Sequence, residues 1–401
     1  MNRKLARKLA ACAGAAVVIP FLATAANART ADVTPIVVDD SSLQPTTVTM
    51  GGASVLPTTR TVAHWFGTAL NPDNGITYGF NMVGADPSSN ASTTITTDIT
   101  PIIVNVGGMT FDGTKVVTPT LDSPVFALND YTSTSFVTRP VAQGGRFTAG
   151  GPLLSGNTSV QLEDATMRAQ FNKSGTNYHV LLNPVVHPAI TINVPSNQGT
   201  LLQTGRGVIA ADINISWWSA QIQNLDSSLG YVDPTHLPLY LTNNVMLHIG
   251  PNPLNCCVIG YHGAAKVTGN GGGSVNGNGN NAVQTFAWAS YITPGFFNPV
   301  SGWAVQDIHA ISHELAEWGD DPFTNNTVQP WLTPTAPQYG CTSLMETGDP
   351  VVGIGFTMGT NTFEQGPAPN GVQVADGYYH PEDEVFMPWF MRQNPSGAQD
   401  G

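Results

Sequence analysis

The chain of 401 residues carries 14 Lys and Arg against 27 Asp and Glu, a formal net charge of −13. A surface this acidic repels phosphate backbones and argues against a nucleic-acid partner. Hydrophobic residues at 41% argue against a disordered chain, while 42 Gly and 30 Pro favour strands, turns and long loops over a helical bundle.

Residues 1–28 read as a signal peptide. Arg3, Lys4, Arg7 and Lys8 form a basic start, and an apolar stretch follows from Leu9 to about Thr24. Ala26-Asn27-Ala28 then fits the small-x-small cleavage pattern. Loss of those four positive charges takes the net charge from −13 to −17. The apolar stretch is short and Pro20 interrupts it, so no stable membrane span is expected after cleavage. The expected location is secreted, extracellular or periplasmic.

Residues 29 to about 60 look extended and rich in Thr and Pro. From about 61 to 200, short apolar runs alternate with turn residues. "TDITPIIVNVGGMTF" (97–111) reads as a strand ending at Gly107-Gly108. "YHVLLNPVV" (178–186) and "ITINVP" (190–195) read as two more, and "VQLEDATMRAQF" (160–171) as a helix. Residues 29–205 are thus expected to form a β-rich N-terminal region. In the second half, "IAADINISWW" (209–218), "VMLHIG" (245–250), "CCVIGYHGA" (256–264) and "VQTFAWASYI" (283–292) suggest strands, and the Gly/Asn run at 268–282 a surface loop. A helix from about Gln306 to Trp318 precedes a loop-rich tail. The class expected is α+β, with 206–401 forming a metal-binding region of one site helix and long loops.

Three cysteines lie beyond the leader: Cys256, Cys257 and Cys341. An exported chain meets oxidising conditions. Adjacent cysteines are poorly shaped to bridge each other, so Cys341 is expected to pair with Cys256 or Cys257.

The chemistry concentrates in "IHAISHELAEWGDDPF" (308–323). At about 100° per residue, Ile308, Ile311, Leu315 and Trp318 share one side of the helix. His309, His313 and Glu317 share the other, one turn apart. His313-Glu314-x-x-Glu317 has the spacing of the H-E-x-x-H zinc helix, with Glu in place of the second His. In that design positions one and five hold the metal, and the glutamate at position two, here Glu314, acts as general base. A carboxylate is a competent zinc ligand, though it makes the metal a weaker Lewis acid than a second imidazole would. The competing reading is a solvated helix face with i, i+4 ion pairs, but the helix has no Lys or Arg to form them. "VQTFAWASYI" sits just before it, where a zincin places the edge strand that pairs with an extended peptide.

A third ligand is expected from "LMETGDPVVG" (344–353): Glu346, with Asp349 behind it or in its place. His309 is the alternate on the helix itself. His380 in "DGYYHPEDE", or its neighbour Tyr379, is the expected oxyanion stabiliser. His262 in "GYHGA" and His380 are also candidates for the third ligand, each read more simply as a surface or hydrogen-bonded core histidine, and His262 too could instead steady the oxyanion. The acidic run at 381–384 does not have the spacing of an EF-hand loop.

"SHELAEWGDDP" followed by "ETGD" resembles a set of uncharacterised exported bacterial proteins that carry S-H-E-x-A-E-W and a later E-x-G-D-P. That likeness extends over "EDATMRAQF", "YHVLL", "CCVIGYHGA" and "DGYYHPEDEVFMPWF". The metal-type motifs alone also resemble the plant phosphate-induced, or exordium-like, secreted family, with H-E-L-A-E and a later E-x-G-D. By position, His313, Glu314, Glu317, Glu346 and Asp349 match. The resemblance implies a zincin-like C-terminal half, without a substrate.

These readings converge on a secreted, zinc-dependent metallopeptidase-like hydrolase acting on a peptide or protein. The alternative is a non-catalytic exported protein, binding cell-wall polysaccharide through exposed aromatics such as Trp217, Trp218, Trp288, Trp303, Trp331 and Trp389, with a structural metal.

Overall fold

The computed structural model describes residues 34–38, 48, 52–55, 59–130, 159–204, 207–267, 282–294, 296–297, 307–333, 341–363 and 377–393. The leader, the Gly/Asn run from 268 to 281, Trp303 and the expected first turn of the site helix at Gln306 lie outside them.

The first half is mostly strand. After β1 (Ile36–Val38) comes a hairpin of β2 (His64–Asn71) and β3 (Ile76–Val83). Its turn is closed by Asn71 and Asn74, whose side chains accept from the Asp73 and Ile76 amides, and by Gly75 at positive φ. β4 (Ser92–Val106) is the longest strand and ends where expected. Gly107 and Gly108 both take positive φ there, a turn that side-chain-bearing residues resist, and lead into β5 (Met109–Asp112). α1 (Val117–Leu121), the short pair β6 (Asn129–Asp130) and β7 (Ser159–Val160), and α2 (Leu162–Gln170) follow. Next come β8 (His179–Val186), β9 (Ile190–Asn193) and β10 (Gly199–Thr204).

The second half begins with β11 (Ile209–Asn214). The strand expected through Trp218 stops at Asn214, because its side chain accepts from the Ser216 and Trp217 amides and caps α3 (Ile215–Ser228). β12 (Leu237–Asn243), β13 (Val245–His248), β14 (Cys256–Val258), β15 (Gly260–Lys266) and β16 (Val283–Tyr291) precede α4 (His309–Asp320). β17 (Thr327–Leu332), β18 (Cys341–Leu344) and α5 (Met387–Phe390) complete the α+β fold.

Two large sheets carry the structure. One runs β1-β10-β11-β13-β14; the other runs β15-β16-β12-β4-β5, with β8 and β9 also paired to β4. β10 from the first half pairs with β11, and β12 lies between β4 and β16, so both sheets draw strands from either side of residue 205.

The seven-stranded sheet is covered on both faces, which is why β12 and β16 read as nearly continuous apolar runs. Period-two alternation sends Leu239, Leu241, Ala287 and Ala289 into one core with Ile311, Leu315 and Trp318 of α4. Tyr240, Phe286 and Trp288 point the other way, joining Trp218 of α3 and residues of the five-stranded sheet. Burying a side chain such as Ile311 or Leu315 contributes about 1.5–3 kcal/mol. Trp318 adds a hydrogen bond from its indole N–H to Thr285 Oγ1 of β16, at 3.0 Å.

Two expectations are corrected here. β16 is not an edge strand: β15 pairs with it on one side and β12 on the other, and β15 takes the outer place. Cys256 and Cys257 bridge each other, so neither pairs with Cys341; a cis peptide between them brings their Cα atoms to 3.1 Å. Of the aromatics considered for a sugar groove, Trp218, Trp288 and Trp331 are core residues, while Trp217 and Trp389 are partly exposed. No described helix is long and apolar enough to cross a membrane.

Candidate metal centre

α4 supplies the floor of the site. The described helix begins after Asp307, whose Oδ1 accepts from the Ile308 amide at 2.5 Å and the His380 amide at 3.0 Å. Every residue from His309 to Asp320 is buried, so the face bearing His309, His313 and Glu317 is not solvated. The helix runs through Gly319 and ends at Asp320, slightly later than the sequence suggested. Three further segments converge on that face: the start of β15, the loop after β18, and residues 380–384.

The loop after β18 reaches the helix because Gly348 has no side chain. A Cβ there would lie 2.5 Å from His313 Nδ1. The close approach lets the Gly348 and Asp349 amides both donate to Glu317 Oε1, each at 3.2 Å. Glu317 Oε2 then faces His313 Nε2 at 3.2 Å. Asp349 Oδ1 approaches the same nitrogen at 3.8 Å and Glu314 Oε1 at 4.0 Å. His313, Glu317 and Asp349 thus bring one ligand atom each within 4.8 Å of one another, the spacing at which a single ion can be held.

The other nitrogen of His313 is tied by Glu382, whose Oε2 takes the Nδ1 hydrogen at 2.5 Å. Glu382 Oε2 also lies 2.9 Å from His309 Nε2. Ser312 fixes this segment, accepting from the Glu382 amide and donating to the His309 carbonyl. Pinning Nδ1 with a carboxylate leaves the Nε2 lone pair to a ligand, the usual arrangement of a metal-binding imidazole. Nothing in the sequence spacing marks Glu382, which stands 69 residues after His313; only the acidic run at 381–384 hinted at a charged element.

His262 enters from β15. Its Nδ1 is 3.4 Å from Glu314 Oε2 and 3.7 Å from Glu317 Oε2, while Nε2 faces the Asp321 carbonyl at 3.3 Å. Asp321 is held in turn by the Asn325 and Asn326 amides. Gly260, two residues earlier on the same face of the strand, leaves room for Glu314; a Cβ there would meet Glu314 Cγ at 2.6 Å.

Glu346 is buried in the same region, with Oε2 3.8 Å from His262 Nε2, and neither of its carboxylate oxygens has a hydrogen-bond partner. The group around His313 and Glu317 is completed by Asp349 rather than Glu346. His309 is engaged by Glu382. His380 lies at the N-terminal end of α4, with Nδ1 2.9 Å from Asp307 Oδ2, and is not among the described residues that line the cleft over His313 and Glu317. Ile259, Gly260, Glu314 and Val352 do line that cleft.

The electrostatics follow from burial. Desolvation pushes the Glu314, Glu346 and Asp349 carboxyls upward, and the Glu317 charge pushes all three further. Burial pulls His313 down, but Glu317 and Glu382 outweigh it and raise its affinity for a proton well above the ordinary value. His262 is raised likewise by Glu314 and Glu317 against its burial. For Glu382 burial acts upward, and the imidazoles of His309 and His313 more than reverse it. Such a pocket demands positive charge. Protons supply it in part; a divalent cation on the same lone pairs supplies it more fully.

Comparison with protein-family models, with curated proteins and with solved structures finds no match. The donor set itself can be tested against a metal. It offers Nε2 of one carboxylate-pinned imidazole and two carboxylates, with the orphaned buried oxygens of Glu346 alongside. That set fits zinc or a similar divalent ion.

Proposed function

We propose that the protein is a secreted, zinc-dependent, metallopeptidase-like hydrolase. The observation that carries this reading is His313: Nδ1 is pinned by Glu382, and Nε2 faces Glu317 and Asp349 across the gap an ion would fill. The ion would be held by His313, Glu317 and Asp349. When bound, zinc polarises a substrate carbonyl and acidifies a water.

The rest is work for the chain's own groups. Glu314, beside the ligands and raised in proton affinity by burial, is the base that takes a proton from the attacking water. The Gly348 and Asp349 amides hold Glu317 in one orientation. A peptide entering the cleft would pass Ile259 and Gly260 at the start of β15, the outer strand. The depth of the donor set also supports the alternative of a structural ion in an exported, wall-binding protein.

Glu314→Gln separates the two. For the hydrolase, the variant keeps the zinc on His313, Glu317 and Asp349 and loses cleavage of a denatured protein by at least a hundredfold, and His313→Ala loses both. Metal-loaded wild-type protein that cleaves nothing in a broad peptide library would sink the enzymatic reading. Polysaccharide binding that survives Glu314→Gln and chelation would support the alternative.

A further inference from the structure

The ion on His313, Glu317 and Asp349 leaves part of the pocket unexplained. On the far side of Glu317, His262 Nδ1, Glu314 and Glu317 form a second group whose ligand atoms lie within 4.8 Å of one another. The two groups share only Glu317. Its Oε2 stands between them, 3.2 Å from His313 Nε2 and 3.7 Å from His262 Nδ1.

His262 is arranged as His313 is. Nε2 faces the Asp321 carbonyl, which can only accept, so the ring hydrogen belongs there and Nδ1 turns a lone pair toward Glu314 and Glu317. A lone pair facing carboxylate oxygens is repulsive unless a proton or a metal cation lies between them, and a dication offsets more of the carboxylate charge than a proton does. Glu346 adds an independent sign. It is 3% exposed, neither oxygen has a hydrogen-bond partner, and Oε2 lies 3.8 Å from His262 Nε2, outside the group of His262, Glu314 and Glu317 but in the same buried region. A buried carboxylate without a hydrogen-bond partner is costly, and the first ion's ligand set does not include it. Charge makes the same point. Glu314, Glu317, Glu346 and Asp349, when ionised, carry four negative charges inside the fold. One dication neutralises half of that, and two neutralise it.

We propose that this centre takes two divalent cations sharing Glu317, the second held by His262, Glu314 and Glu317 with Glu346 beside it. The inference deepens the hydrolase reading and rests on it for the first ion. Glu314 would ligate the second ion through Oε2, the oxygen nearest His262, and keep Oε1 turned toward His313. Base and second-ion ligand are then two oxygens of one side chain.

The test is metal stoichiometry of the full exported chain, by equilibrium dialysis against zinc alone and elemental analysis. Wild type is expected to bind two equivalents. His262→Ala should bind one, Glu346→Gln should weaken the second ion at least tenfold while leaving the first, and Glu317→Gln should bind none tightly. Circular dichroism confirms that each variant is folded. The wild-type count decides even if a variant does not fold. One equivalent in wild type, lost in His313→Ala but kept in His262→Ala, overturns the second ion and leaves the hydrolase reading standing. Two equivalents that persist in both His262→Ala and Glu346→Gln overturn this placement. No bound zinc in wild type overturns both readings.

Discussion

His313 divides its two nitrogens between two tasks, and Glu382 makes the division possible. Removing a partner that orients a metal-binding imidazole typically weakens metal affinity about 10–100-fold. Glu382→Gln should therefore raise the zinc dissociation constant by that order without unfolding the protein, read by competition with a chelating dye. An unchanged affinity would show that Glu382 has no part in orienting the ligand. The histidine and the glutamate at 317 were legible in the sequence, because i, i+4 spacing is a property of the helix alone. Glu382 was not, because no local pattern says which distant carboxylate will close over a helix. The same limit applies to Glu346 and Asp349. Both were singled out in "ETGD", but which of them stands nearest His313 depends on how Gly348 lies against the ring.

Among the elements, α4 was expected as an amphipathic helix with an apolar core face and a ligand-bearing polar face opposite, and it is buried all round. Its polar side is covered by residues 346–349 and 380–384, which carry polar partners of their own. The neighbouring strands show a related limit. Both "CCVIGYHGA" and "VQTFAWASYI" read as strands, but only pairing decides that β15 is outermost. α3 carries a prediction of its own. Asp226 on this helix accepts from the Tyr240 hydroxyl at 2.7 Å, and its second oxygen has no partner. Burial pushes its carboxyl up to about 8 from the ordinary 3.8, against that hydrogen bond. In the unfolded chain the group ionises near the ordinary value. Its contribution to stability is therefore full below about pH 4 and drains away as pH rises towards about 8, where the folded form also ionises. Asp226→Asn should match wild type in Tm near pH 4. It should exceed wild type by a margin that grows with pH and levels off above about 8. Parallel Tm curves across that range would show that Asp226 ionises freely in the fold.

For the whole molecule, the unusual feature is a concentration of buried carboxylates met by a few imidazoles. Interleaving produces it: β15 brings His262, α4 brings His313, Glu314 and Glu317, and two later loops bring Glu346, Asp349 and Glu382. A ligand that binds only this assembled state stabilises it by mass action, about 2.7 kcal/mol at a hundredfold excess over Kd. Adding zinc to metal-free protein should raise Tm by several degrees, and chelation should reverse the rise. A Tm indifferent to both would mean that the folded carboxylates need no cation.

The sequence by itself determined the α+β class, most strand positions, the acidic balance and the helix with its histidine and glutamates. These are set by composition and by periodicities that repeat within a few residues. Tertiary structure alone decided that the helix has no solvent face, that β15 and not β16 is outermost, and that the adjacent cysteines join each other. It also decided that Glu382, His262 and Asp349 meet the polar face of α4. The reason is range: local patterns fix how each segment folds, whereas the site is closed by side chains 30 to 70 residues apart, whose meeting depends on sheet order and loop path.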